Sequence, residues 1–223
     1  MISSFRGKHF EPPPWLYAHL ARSAVRRGLY RRFVSDLAAR VPRGGRLLDV
    51  GAGPGYLLGD LARARPDLRT WGLDCSPDMM RRARRQQAGC LPGASRWLVA
   101  DACALPFAAG SFDQVVATFS FHIWPCPVAG LQELRRLLKP GGAAWVVELR
   151  REAAAHDLRA FARETGLPFP LVYLGYHLVR WQHAVPAPAL ADLLQQAAGA
   201  RGRLRPVHHV FWRAELRGDE NDA

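Results

Sequence analysis

The chain has 223 residues, 49% hydrophobic and 22% charged, which fits one sizeable α/β domain with little left for a second. Its formal charge of +12 and pI near 10.7 are carried almost wholly by arginine, since Lys8 and Lys139 are the only lysines; that bias fits GC-rich coding as well as a polyanion-binding surface. No apolar run approaches the roughly 18 residues of a membrane span, residues 1–15 hold no continuous apolar core of a secretion signal, and Cys75, Cys90, Cys103 and Cys126 are too scattered for a zinc knuckle or a disulfide framework, so a cytosolic protein without structural metal is expected.

Residues Met1 to Pro14 are polar and proline-rich and read as a loosely held arm. From Trp15 onward, Leu16, Leu20, Leu29, Phe33 and Leu37 recur at helical spacing between Arg22, Arg26, Arg27, Arg31 and Arg32. This predicts two amphipathic helices joined near Gly28, with a basic outer face that is either solvated or a contact for an acidic substrate or RNA. Pro42-Arg43-Gly44-Gly45 then punctuates the entry to a strand.

The stretch Leu47 to Asp60, LLDVGAGPGYLLGD, organises the rest of the chain. Leu47, Leu48 and Val50 read as a strand buried on both faces. Gly51, Gly53 and Gly55 permit a tight turn whose backbone can approach a ligand, and a helix opening at Tyr56 points its free N–H groups back at it. The turn departs from the G-x-G-x-x-G pattern that seats a pyrophosphate.

A short strand from Thr70 to Leu73 delivers Asp74, at the spacing expected for a carboxylate that accepts from ribose hydroxyls. Ser76 is a predicted N-cap with Pro77 at the first helical position, so Met79 and Met80 stand in the first turn of the next helix. The third strand, Arg96 to Ala100, ends at Asp101, and the fourth, Gln114 to Thr118, ends at the loop Phe119-Ser120-Phe121-His122-Ile123-Trp124-Pro125. A helix from Val128 to Leu138 is stopped by Lys139-Pro140-Gly141-Gly142, and Ala143 to Leu149 makes strand five. Strands alternating with helices predict a parallel sheet with its ligands at the strands' C-terminal ends, where Asp49, Asp74, Asp101 and the Phe119 loop converge.

Arg150 to Val185 is rich in aromatic residues and histidines, a helix over Ala187 to Ala198 comes next, and Leu204 to Arg217 alternates as an antiparallel hairpin turning near His208-His209. Those two histidines read as strand and turn, since no third metal ligand is evident. Gly218 to Ala223 is a short polar tail.

Taken together, LLDVGAGPGYL, GLDCSPDMM, VADACALPF, FDQVVATFSFHIW and LKPGG resemble the successive motifs of the class I S-adenosylmethionine-dependent methyltransferases, in particular the small-molecule group that includes the quinone-biosynthesis C-methyltransferases. The resemblance covers Gly44 to Glu148 and implies a Rossmann-like, doubly wound, mostly parallel α/β sheet with a C-terminal antiparallel hairpin. It divides a single domain into an arm and helical cap (1–43), the S-adenosylmethionine-binding core (44–149), a substrate-cover insertion (150–185), and the last helix with the hairpin (186–223). In such enzymes Gly51, Ala52 and Gly53 would line the methionine portion of the cofactor, Asp49 would fix the turn and the amino group, and Asp74 would hold the ribose. Met79 would pack on adenine, Asp101 and Ala102 would meet the adenine amine, and the backbone near Thr118 and Phe119 would approach from the other side. The cysteines lack the arrangement of an arsenite methyltransferase.

A base is needed only where the methyl acceptor must lose a proton, and His122 is the first candidate because its loop borders the methyl-transfer side. Phe121, Trp124, Tyr173, Tyr176 and His177 are expected around the acceptor, with Tyr173, Tyr176, His177 and His183 as weaker candidates for the base. The leading expectation is a methyltransferase of a small, apolar or aromatic molecule. The alternatives are a tRNA or rRNA methyltransferase, motivated by the basic charge, and a non-catalytic cofactor-binding partner subunit.

Overall fold

The computed structural model describes residues 24–88 and 95–218; the expectations placed on the polar arm, on Trp15 to Leu20, on Cys90 and on the tail beyond Gly218 lie outside the described residues. Helix α1 runs unbroken from Ala24 to Arg40. Gly28, expected to join two helices, lies inside it. An interior glycine costs about 1 kcal/mol against alanine, and burial of Phe33, Val34 and Leu37 on the sheet offsets that locally small cost.

The elements then alternate: β1 (Arg46–Val50), α2 (Tyr56–Ala64), β2 (Arg69–Asp74), α3 (Pro77–Gln87), β3 (Arg96–Val99), β4 (Phe112–Thr118), α4 (Pro127–Arg136) and β5 (Leu138–Arg150). Two helices, α5 (Ala155–Thr165) and α6 (Phe169–His183), precede a two-residue strand β6 (Ala184–Val185). Helix α7 (Ala187–Ala198) leads to the hairpin β7 (Gly202–Val207) and β8 (Phe211–Arg217).

The eight-stranded sheet has the order β3-β2-β1-β4-β5-β8-β7, with β6 paired to β5. The first five strands in that order are parallel, and β8 and β7 are antiparallel additions. Leu149 pairs with Phe211 of β8 and with Ala184 of β6, so β6 occupies the β4 side of β5 beyond the point where β4 ends.

Strand alternation distributes the core between two faces. Leu48, Val50, Val115, Ala117, Ala144 and Val146 pack with Leu131 and Leu134 of α4 and Leu190 and Leu194 of α7. Leu47, Val116, Trp145 and Val147 pack on the other face with residues of α1, α2, α5 and α6. Each fully buried leucine contributes about 2 kcal/mol of transfer free energy, so both layers hold the central strands in register.

The start of β5 also differs from expectation. Lys139 to Gly142, read as a helix stop and turn, belongs to β5: Phe112 faces Leu138 and Gln114 faces Ala143, so four residues of β5 stand against Asp113 and bulge out of the ladder. Asp113 fastens it by accepting from Lys139 Nζ and from the Arg46 N–H, each at 2.7 Å. The terminal hairpin turns at His208 and His209 as predicted, with φ of 46° and 64°, a left-handed pair that suits a tight hairpin.

Candidate active site

The glycine turn is held by the end of β2. The N–H groups of Gly51 and Ala52 both donate to the Leu73 carbonyl at 2.9 Å, and Gly55 N–H donates back to Ala52 at 3.0 Å. Gly51 has φ of 73°, and a Cβ there would lie 2.3 Å from the Ser120 Cβ, so backbone conformation and packing both require glycine. At Gly53, φ 52°, a Cβ would meet nothing within 4 Å. The turn therefore leans on the loop after β4 at Gly51 and faces open space at Gly53.

Asp74 clasps this turn to the start of α3. One carboxylate oxygen accepts from Gly53 N–H at 3.0 Å and the other from Ser76 N–H at 2.9 Å. Each oxygen keeps a second lone pair for a hydroxyl donor. Ser76 caps α3 through Met79 N–H; Met80 is buried in the core while Met79 stays half-buried. Asp101 is exposed and accepts from Cys103 N–H at 2.9 Å, and Ala102 behind it is buried.

Asp49 is different in kind. It is 1% exposed inside β1, and its Oδ1 has no hydrogen-bond partner. Burial, with the charge of Asp74 added to it, pushes this carboxyl up to about 8. An orphaned carboxylate oxygen beside a glycine cradle is the place for a cationic donor.

The opposite wall is the loop after β4. Thr118 is buried, and Phe119 has φ of 57°, an uncommon conformation for a bulky residue, which turns its ring away to pack on Phe33 and Phe211. The ring is thereby taken up by packing and leaves the backbone of Phe119 at the end of β4. Ser120 Oγ donates to the Val50 carbonyl at 3.0 Å, tying this loop to the end of β1. A short 3₁₀ turn over Phe121–Ile123 comes next.

Glu148 of β5 lies beneath that turn, fully buried, and nothing in the motif series singles it out. Its Oε1 accepts from the N–H groups of Phe121 at 2.7 Å and His122 at 3.4 Å, and its Oε2 lies 3.1 Å from His122 Nδ1. His122 Nε2 in turn lies 3.0 Å from Nδ1 of His183, the last residue of α6. The hydrogen-bond network assigns the tautomers: Nδ1–H of His122 donates to Glu148, so His122 Nε2 accepts from Nδ1–H of His183. A lone carboxylate in the apolar run AAWVVEL was the signal available for Glu148; the His183 partnership, 61 positions away, had none.

Residues 47–142 match the family model described as a methyltransferase domain. A demethylmenaquinone methyltransferase of Deinococcus radiodurans is 36% identical over 82% of this chain and 78% of its own length. The chain belongs to the S-adenosylmethionine-dependent methyltransferases. An uncharacterized methyltransferase of Bacillus subtilis is 30% identical over 56% of the chain and 68% of its own length. Among solved structures, a SAM-dependent methyltransferase from Aquifex aeolicus superposes with a TM-score of 0.61 at 19% identity, covering 83% of this chain and 87% of that one, a likeness of fold.

S-adenosylmethionine is the cofactor of this methyltransferase family, and the residues present fit it: an open glycine cradle, an unpartnered buried carboxylate oxygen and a clasping aspartate stand side by side. The residues expected around the acceptor separate into three groups. Phe121 is 3% exposed and stacks edge-on with the half-buried Trp124, a packing pair that shapes the loop. Tyr176 is 6% exposed; its hydroxyl lies 2.7 Å from the carbonyls of Arg150 and Arg151 and accepts from Ala153 N–H at 2.9 Å, so it pins α6 to the end of β5. Tyr173 is on the outer side of α6, its ring against Phe169 and His177. No cluster of three potential metal ligands occurs among the described residues, and burial pushes the Cys103 thiol up to about 11, which removes it as a thiolate nucleophile.

Proposed function

We propose that this methyltransferase methylates a small apolar acceptor whose nucleophile must lose a proton, and that the Glu148–His122–His183 chain holds that proton. The chain itself carries the reading: a buried carboxylate orients an imidazole, which is hydrogen-bonded to a second imidazole on the cover. The demethylmenaquinone methyltransferase of D. radiodurans supports the acceptor class, an apolar quinone-type molecule.

S-adenosylmethionine supplies a methyl group on a sulfonium and leaves as a neutral thioether, so its departure needs no acid. The protein's tasks are to bind, to align and to exclude water. Asp49 receives the cofactor's ammonium group, Asp74 its ribose hydroxyls, Asp101 and Ala102 the adenine edge, and Met79 the adenine face. Gly51, Ala52, Gly53, Thr118 and Phe119 approach it through backbone. Positive charge that develops on the histidine pair is stabilised by the Glu148 carboxylate, which is buried and held by the Phe121 and His122 N–H groups.

Labelled methyl transfer to prenylated naphthoquinols and to tRNA, measured side by side, tests the acceptor: the quinol is expected to be methylated, and transfer to tRNA alone would overturn the reading. His122→Ala is expected to lower kcat about 100-fold or more with S-adenosylmethionine affinity kept. Turnover untouched between about pH 6 and 8 would refute His122 as a member of the proton-holding chain.

A further inference from the structure

Helix α6 shows water its apolar side. Leu171, Leu174, Leu178 and Trp181 succeed one another at helical spacing and are 57%, 58%, 69% and 65% exposed, and no acidic residue occurs between Phe169 and His183. A helix that is apolar on its solvent side as well as its packed side has a partner. The neighbouring helix supplies the complementary feature. Arg159 and Arg163, one turn apart on α5, line with His156 a cleft of about 520 Å³ whose other walls include Leu167 and Phe169. Arg159 lies 5.1 Å over the Phe169 ring, and among the described residues neither arginine has a carboxylate partner. Arg151 and Arg180 flank the Trp181 ring at 5.5 and 4.9 Å.

A row of exposed leucines closed by a tryptophan, beside two arginines with no carboxylate partner among the described residues, matches the boundary between acyl chains and anionic headgroups. The formal charge of +12 draws the whole molecule toward the same surface. We propose that the α5–α6 unit docks on an anionic phospholipid bilayer, with Leu174, Leu178 and Trp181 seated in the interface and Arg159 and Arg163 on lipid phosphates. The helix that docks ends at His183, within hydrogen-bond distance of His122. Docking thereby brings a bilayer-dissolved acceptor to the cover that shares the histidine pair. In this purpose the proposal rests on the apolar-acceptor reading; docking itself is read without any acceptor.

The test is co-sedimentation of the full chain with vesicles of phosphatidylglycerol and phosphatidylcholine against vesicles of phosphatidylcholine alone, at low salt and near 0.15 M. Binding to the anionic vesicles that weakens with salt is expected, and Leu178→Asp or the pair Arg159→Glu and Arg163→Glu should each lower partitioning about tenfold or more. Calorimetric S-adenosylmethionine affinity, unchanged in both variants, shows that they are folded. No binding to anionic vesicles overturns the proposal, as does binding that the variants leave intact. Free inorganic phosphate that competes fully with the vesicles would reassign the arginines to a soluble anion and overturn it, and so would a dimer that Leu178→Asp dissolves. If docking fails while detergent-dispersed quinol is methylated, the bilayer proposal falls alone; if docking holds and the quinol is not methylated, the acceptor reading falls alone.

Discussion

At the residue scale the site turns on three positions whose neighbours leave little latitude. Asp49 carries its proton in the free protein below about pH 8, because burial and the Asp74 charge both disfavour the carboxylate. A cationic ammonium placed against it favours the carboxylate, so cofactor binding releases a proton and affinity rises with pH until about 8. Calorimetry at pH 7 in buffers of different ionisation heat should show the release; identical heats would refute the Asp49 contact. The same shift, upward from 3.8, means that the native state binds more protons than the unfolded chain between the two values, so its contribution to stability falls as pH rises across that window. Asp74→Ala should weaken S-adenosylmethionine binding by about 1.5 kcal/mol or more, from lost charge-assisted hydrogen bonds; unchanged affinity would remove the ribose assignment. Gly51→Ala places a methyl against Ser120 at a left-handed φ and should cost about 2 kcal/mol or more in thermal unfolding. Adding Ser120→Gly should recover the steric part of that cost, and no recovery would show that backbone strain alone is responsible.

At the element scale, the Tyr176 hydroxyl fastens helix α6 to the end of β5. Tyr176→Phe leaves the Ala153 N–H and the nearby carbonyls without that partner and should cost about 1–3 kcal/mol. Hydrogen exchange would show the loss confined to α5, α6 and β6; uniform loss across the sheet would contradict a local clasp. The strands and the glycine turn were legible in the sequence, because β1 and β4 are short, largely apolar runs and β1 and β2 stop at Gly51 and Asp74. Element edges were less so. The unbroken α1 and the bulged start of β5 depend on packing against the sheet, which outweighs the punctuation offered by Gly28 and by Pro140-Gly141-Gly142. Of the candidate site, Asp49, Asp74 and His122 are the residues that the motif series pointed to. Glu148 was hidden inside a strand, and the roles of Tyr176 and His183 arise from contacts across the fold that no local pattern encodes.

On the scale of the whole molecule, the parallel half of the sheet carries the glycine turn, and the insertion after β5 touches the loop after β4 through His183 and the end of β5 through Tyr176. No described helix is long and apolar enough to cross a bilayer. If RNA were the acceptor, its binding should retain measurable strength near 0.15 M salt; gel-shift titrations between about 0.05 and 0.2 M are expected to show any low-salt binding collapse, as for diffuse phosphate contacts. The insertion that forms the cover leaves the sheet after Arg150 and returns to pair at Arg150, since Arg150 faces Val185 and Leu149 faces Ala184. Its entry and exit are therefore neighbours, so residues inserted at the exposed Gly166 connection between α5 and α6 leave the pairing of the parallel strands unchanged. In evolutionary terms, growth of the chain at that connection is separable from the glycine turn that follows β1.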